Sequence, residues 1–198
     1  MTFAASVKRI VGDDPEGKRE RHVEDFYRTG EVATRALLAV ERFHGTIWEP
    51  ACGAGDMSRV LETAPEVTNV VSTDLVDRGY GTPGPDFLKT PAIIGIDHIV
   101  TNPLYRLLDE FVLRAIELDP PGKIAMIARL QWLEGQRRKK KIFDVHPPAR
   151  VWGFSFRIPM TRGDLATPQT GLVAFAWYVW DKMHVGPPRL GWLAAPPR

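Results

Sequence analysis

Thr46-Ile47-Trp48-Glu49-Pro50-Ala51-Cys52-Gly53-Ala54-Gly55-Asp56 reads as a short strand, a glycine turn and the start of a helix that carries Met57, Val60 and Leu61. Glycines in such a turn permit tight turning and close approach of a ligand, and the helix start presents free N–H groups. A dinucleotide fingerprint would place a third glycine three residues after Gly55, where this chain has Ser58. An acid, Glu49, closes the strand, which suits a pyrophosphate poorly. The stretch therefore predicts a small-molecule turn of an α/β sheet, of a kind other than the dinucleotide one.

Working outward, the same unit repeats. Val67–Asp74 reads as the next strand and ends in an acid about 20 residues after the glycine turn, the separation expected for a carboxylate that reaches ribose hydroxyls. A Gly- and Pro-rich loop from Arg78 to Pro91 follows and contains Pro85-Asp86-Phe87-Leu88. Asp97-His98-Ile99-Val100-Thr101-Asn102-Pro103-Leu104-Tyr105 then runs apolar to Val100 and stops at Asn-Pro, a buried strand ending at a turn. Leu107, Leu108, Phe111, Val112, Ala115 and Ile116 recur at helical spacing up to Pro120-Pro121-Gly122, and Lys123–Arg129 is a continuous apolar strand. From Leu130 to Phe143 the pattern predicts a helix that turns basic at Arg137, Arg138, Lys139, Lys140 and Lys141, a site for phosphates. Arg150–Arg157 and Leu172–Trp180 read as the closing antiparallel hairpin. Between them the polar loop from Pro159 to Gly171 offers Arg162 and Gln169 to a substrate.

Upstream, Thr29 is placed to N-cap an amphipathic helix through Val32, Ala36 and Phe43. Residues 1–25 are charged, lack apolar periodicity and read as a flexible arm. The expected organisation is that arm, a core domain over 26–182 and an irregular Pro-rich tail over 183–198. With 198 residues, 44% hydrophobic and 25% charged, the composition is that of one globular domain. The single cysteine, Cys52, excludes an internal disulfide, and the five histidines lack zinc-ligand spacing. A net charge of +2 does not by itself indicate nucleic acid. The charged N-terminus lacks an apolar signal core, so the expected setting is the cytoplasm.

Four motifs together resemble one family. Glu49, Gly53 and Gly55 match the acidic-x-x-x-Gly-x-Gly signature of S-adenosylmethionine-dependent methyltransferases, whose cofactor is cationic at sulfur and carries a free amino group. Tyr27 and Thr29 resemble the Tyr-x-Thr-Pro motif of DNA adenine methyltransferases, with Gly30 at the usual proline. Asp86-Phe87-Leu88 resembles the segment that flanks the cofactor's adenine. Asn102-Pro103-x-Tyr105 resembles the Asn-Pro-Pro-Tyr motif of amino-methyltransferases, with Leu104 at the second proline. The chain looks most like the small N6-adenine methylases of phages and prophages, over roughly residues 25–180. The resemblance implies a Rossmann-like class I methyltransferase fold, a mostly parallel seven-stranded α/β sheet with a C-terminal antiparallel hairpin. It implies S-adenosylmethionine held by Tyr27, Thr29, Glu49, Pro50, Gly53, Gly55, Asp74, Asp86 and Phe87. Asn102 and Pro103 would accept the two hydrogens of an exocyclic amine and Tyr105 would stack on a flipped base. The implied partner is DNA, with setting in a bacterial or phage-infected cell. An RNA base, a protein glutamine amide, or a silent nucleic-acid-binding role are the alternatives.

Overall fold

The computed structural model describes residues 27–158, 160–162 and 173–195. The arm expected at residues 1–25 and the loop residues 163–172, with Gln169, lie outside the described residues. In chain order the elements are β1 (Tyr27–Thr29), α1 (Glu31–Leu38), β2 (Gly45–Glu49), α2 (Asp56–Leu61), β3 (Val67–Asp74), β4 (Thr82–Pro83), β5 (His98–Thr101), α3 (Leu108–Leu118), β6 (Lys123–Arg129), β7 (Arg150–Phe154), β8 (Met160–Arg162), β9 (Phe175–Asp181) and β10 (Arg189–Leu193). No described helix is long and apolar enough to cross a membrane.

Eight strands form one sheet in the order β10-β7-β9-β6-β5-β2-β3-β4, and β1 and β8 form a separate two-stranded ribbon. Within the eight-stranded sheet pairing is parallel except for β9, which runs antiparallel to both β6 and β7, and the β1/β8 ribbon is antiparallel. The mostly parallel sheet with a C-terminal antiparallel strand is as expected, with eight strands where seven were expected. The chain lays β3 on one flank of β2 and β5 on the other, so the crevice where strand order reverses opens at the carboxyl ends of β2 and β5.

Strand residues alternate between two apolar layers. Trp48, Ile99, Ile124 and Met126 face Phe111, Val112 and Ala115 of α3, whose spacing makes one stripe. Ile47, Val100, Ala125 and Ile127 face Ala33 and Leu37 of α1 and Met57 and Leu61 of α2. Burial on both faces explains why β5 and β6 read as unbroken apolar runs.

Three sequence expectations are corrected. The helix expected from Leu130 to Phe143 is broken: a 3-10 turn at Leu130–Leu133 is followed by a fresh helical start at Gln136, because Gly135 between them has φ of 118°. Thr29 does not cap α1; it lies in β1, and Gly30 occupies the cap position with no side-chain bond to the helix. The tail expected to be irregular contains β10, which runs parallel to β7 with Leu193 buried. Its Gly191 is required by packing, since a Cβ there would fall 2.2 Å from the Trp152 ring.

The opposite, amino edge of the sheet holds a buried polar network. Glu41, 3% exposed, accepts from Lys123 Nζ at 2.7 Å, Trp152 Nε1 at 2.9 Å and Arg150 Nη2 at 3.0 Å, and also from Arg150 Nε. Arg150 bridges on to Asp181 at 2.6 Å. Burial alone would raise the Glu41 carboxyl, and the donors from Arg150, Lys123 and Trp152 overcome it, so it sits below the ordinary value.

His98, 1% exposed at the start of β5, accepts the Lys123 amide at Nδ1 over 2.8 Å, with the charged or titratable groups of His44, Asp97 and Lys123 around it. Burial first, then the His44 and Lys123 charges, push it down to about 4 from the ordinary 6.5. A protonated ring would have no acceptor for that amide. The depressed value means the unfolded chain binds the proton more readily, so stability is full above about pH 6.5 and falls as pH drops toward 4. The expected loss between pH 7 and pH 5 is about 2 kcal/mol, read from urea midpoints, with His98→Gln flattening that slope.

Candidate active site

Seven of the residues singled out by sequence line one cavity of about 400 Å³ at the carboxyl edge of the sheet. Its wall includes Thr29 of β1, Glu49 at the end of β2, Asp74 at the end of β3, Asp86 in the loop after β4, and Asn102, Pro103 and Tyr105 directly after β5. The size is that of a small-molecule site.

The glycine turn runs beside the cavity, to whose wall its Cys52 and Asp56 contribute. Gly53 and Gly55 both adopt positive φ, 54° and 81°. Gly55 is also crowded, because a Cβ there would fall 2.4 Å from the Tyr80 ring. Tyr80 is fixed in turn by its hydroxyl donating to Glu62 at 2.8 Å and by the Arg59 guanidinium 4.5 Å from its ring centroid. The Gly53 amide donates to Asp74 Oδ2 at 2.8 Å, and Asp74 Oδ1 accepts the Val76 amide at 2.9 Å. These bonds tie the β2 turn to the end of β3 and orient the acid proposed for ribose. Pro50 is buried at the turn itself.

Glu49 is 2% exposed and accepts from the Ser58 hydroxyl, which also pairs with Ser72 Oγ at 2.7 Å. Burial pushes its carboxyl well above the usual range; the Ser58 bond works against this, and the charges of Asp74 and Asp56 add to it. An acid held toward its neutral form in this way gains most when a cation arrives. The Cys52 thiol nearby is buried and pushed up to about 12, by burial first and then by the Glu49 and Asp74 charges, which holds it in the neutral thiol form. Asp86 accepts the Leu88 amide at 3.1 Å and pairs with Lys89 at 2.8 Å, and the Lys89 bond holds its carboxyl below the ordinary value despite some burial.

Asn102 is half-buried, and its Nδ2 donates to Thr29 Oγ1 at 2.9 Å. Pro103 is buried, and Tyr105 begins the 3-10 turn that leads into α3. The Tyr105 ring lies 5.8 Å from Phe175, and the Arg129 guanidinium lies 5.4 Å from its centroid.

Other expected site residues lie elsewhere. Phe87 is 2% exposed and packs on Trp48 and Phe111, which makes it a core residue behind the cavity. Trp132, at the head of the basic segment, is also in the core, as its apolar neighbours in sequence suggest, and its Nε1 donates to Asp109 at 2.7 Å. In the basic run, Arg138 folds back onto Asp109 at 2.7 Å and onto the carbonyl of Trp132, and Lys139 pairs with Asp144 at 2.6 Å. Arg137, Lys140 and Lys141 are exposed. The backbone of Arg162 pairs with that of Tyr27 in the ribbon. Sequence reasoning missed the Arg28 guanidinium, which forks onto Asp56 at 2.7 and 2.6 Å and closes the cavity beside β1. It also missed Ser58, read there only as an absent glycine, and Arg106 on the cavity wall.

No family model matches the sequence, and no curated protein matches it. Solved structures do. A protein from Pyrococcus horikoshii assigned as an RNA methyltransferase is 15% identical, with a TM-score of 0.58, over 92% of this chain and 97% of that one. A modification subunit assigned to a type I restriction enzyme of Vibrio vulnificus is 12% identical, TM-score 0.59, over 98% of this chain and 51% of that one. A dimethyladenosine transferase from Plasmodium falciparum is 13% identical, TM-score 0.51, over 75% of this chain and 60% of that one. The chain thus spans less than two thirds of the length of the latter two. At these identities the likeness establishes the fold, the Rossmann-like fold of class I methyltransferases.

Proposed function

We propose that the protein transfers a methyl group from S-adenosylmethionine to the N6 amine of adenine in DNA, as in the phage-type enzymes its motifs resemble. The observation that carries this reading is the placement of Asn102 and Pro103 on the same cavity as Glu49, Asp74 and Asp86. Those acids fit the cofactor: a buried carboxyl poised for a cation, an oriented acid for ribose hydroxyls and an acceptor for the adenine amine. Bound there, S-adenosylmethionine supplies an electrophilic methyl group.

The protein's share of the chemistry follows from the poor nucleophilicity of an aryl amine, whose lone pair is delocalised into the ring. The Asn102 side-chain oxygen and the Pro103 carbonyl accept the amine hydrogens and draw electron density back onto nitrogen. Tyr105 holds the flipped base by stacking. Asn102 and Pro103 would hold the amine toward the methyl group that the bound cofactor would supply, and because an amine that has become cationic gives up its proton readily, no residue is needed as a strong base. Holding nitrogen and methyl in line provides most of the acceleration. Arg137, Lys140, Lys141 and Arg162 are the candidate phosphate contacts.

RNA adenine is the second reading, favoured by the RNA and dimethyladenosine enzymes among the structural neighbours. Incubation with methyl-labelled cofactor and separate DNA, RNA and protein pools distinguishes these. Label in N6-methyladenine of DNA is expected; label confined to RNA or protein overturns the DNA assignment.

A further inference from the structure

We infer that Arg28 takes the carboxylate at the amino-acid end of the cofactor, with Asp56 positioning its guanidinium, an inference that rests on S-adenosylmethionine being the ligand of the cavity. That cofactor ends in an ammonium and a carboxylate on one carbon. The acids proposed for it, Glu49, Asp74 and Asp86, answer its cationic groups, its ribose hydroxyls and its adenine amine. None of them can receive a carboxylate, which calls for a cation or for N–H donors. The described cavity wall carries four cationic side chains, Arg28, Arg78, Lys89 and Arg106. Three of them stand beside other parts of the site. Lys89 is bound at 2.8 Å to Asp86, the acid proposed for adenine. Arg78 lies in the loop beyond Asp74, the acid proposed for ribose, and Arg106 follows Tyr105 on the acceptor side.

Arg28 is held instead against Asp56, the first residue of α2, directly after the glycine turn. Met57, the next residue of α2, packs on one face of the sheet, whereas Phe87, the neighbour of Asp86, packs on the other. The pair therefore marks the end of the cavity away from the adenine acid. Its geometry keeps part of the guanidinium available. Arg28 Nε donates to Asp56 Oδ2 at 2.7 Å and Nη2 to Oδ1 at 2.6 Å, a side-on fork that uses two of the five N–H donors. Nη1 and the second hydrogen of Nη2 form the end-on fork, which bonds to no described residue. The Arg28 side chain is 48% exposed and that of Asp56 20%, so a ligand in the cavity can reach that fork. A planar guanidinium edge matches the two oxygens of a carboxylate, a fit that an ammonium cannot offer. Asp56 restrains a long side chain beforehand, which leaves less ordering for the ligand to impose.

Decarboxylated S-adenosylhomocysteine keeps the adenosine, the sulfur and the ammonium, so comparing it with S-adenosylhomocysteine isolates the carboxylate. Calorimetric titration of the parent protein is expected to find S-adenosylhomocysteine bound about 10- to 100-fold more tightly, the range of a charge-assisted bidentate contact. In Arg28→Gln that gap should close to about threefold or less, with affinity for the decarboxylated ligand held within about twofold of the parent. A merely structural role for Arg28 would weaken both ligands alike, and that result overturns the proposal. A gap that survives in Arg28→Gln overturns it as well. Equal affinities in the parent overturn it whether or not the variant folds. Binding of neither ligand by the parent overturns the cofactor reading on which the proposal rests. A gap that closes in Arg28→Gln, in a protein that methylates neither DNA nor RNA, upholds the carboxylate site while contradicting the proposed function.

Discussion

Asn102→Ala is expected to lower methyl transfer by at least about 10²-fold while S-adenosylmethionine affinity changes by less than about twofold. The reason lies in when the amide matters. Positive charge grows on the substrate nitrogen only as the new bond forms, so an acceptor fixed beside it stabilises the transition state more than the bound ground state. Glu49, Asp74 and Asp86, the acids proposed for the cofactor, sit on other elements and loops and are untouched by the substitution. Single-turnover rates with labelled cofactor and calorimetric titration separate the two quantities. A variant that loses cofactor affinity, or that retains the parent rate, contradicts the role assigned to Asn102.

The second large effect is on stability and lies at the other edge of the sheet. Glu41→Ala is expected to cost about 3–5 kcal/mol, because it leaves the Lys123 ammonium and the Arg150 guanidinium partly buried with one common partner removed. Such a loss is a large share of the stability of an ordinary domain. Glu41→Gln should cost less, since its amide oxygen still accepts one of these donors. Urea unfolding monitored by the change in tryptophan emission measures both, and Trp152 of β7, which donates to Glu41, reports directly on the network. A cost below about 1 kcal/mol for Glu41→Ala would mean that the network adds no more than an exposed ion pair.

Local sequence carried the elements whose physics is local. Val67–Asp74 and Lys123–Arg129 have in the structure the bounds read from the sequence, and the second is buried at five successive positions because a strand covered on both faces must be apolar throughout. The glycine turn was legible for a similar reason: positive φ at Gly53 and Gly55 requires residues without a Cβ, and the chain announces them. The expected helix from Leu130 to Phe143 failed because one such residue, Gly135, was counted as a helical position. The strand Arg189–Leu193 was missed because prolines on either side suggested irregular chain, while its neighbour β7 lies far back in sequence.

What the sequence by itself determined was the set of chemical groups and the strand ends that carry them: Glu49, Asp74, Asp86 and Asn102-Pro103-x-Tyr105, each at a break in an apolar or turn pattern. Only the tertiary structure decided that they share one cavity, that Phe87 supports it from the core and that two of the five basic residues are folded back on their own segment or on α3. It also decided the partners at the site, Thr29 for Asn102, Arg28 for Asp56 and Ser58 for Glu49. Thr29 and Asn102 stand 73 residues apart, and Arg28 and Asp56 stand 28 apart. Periodicity and turn chemistry act over a few residues, so they reveal where a side chain is carried. Which side chain it meets is set by how the sheet brings distant strand ends together.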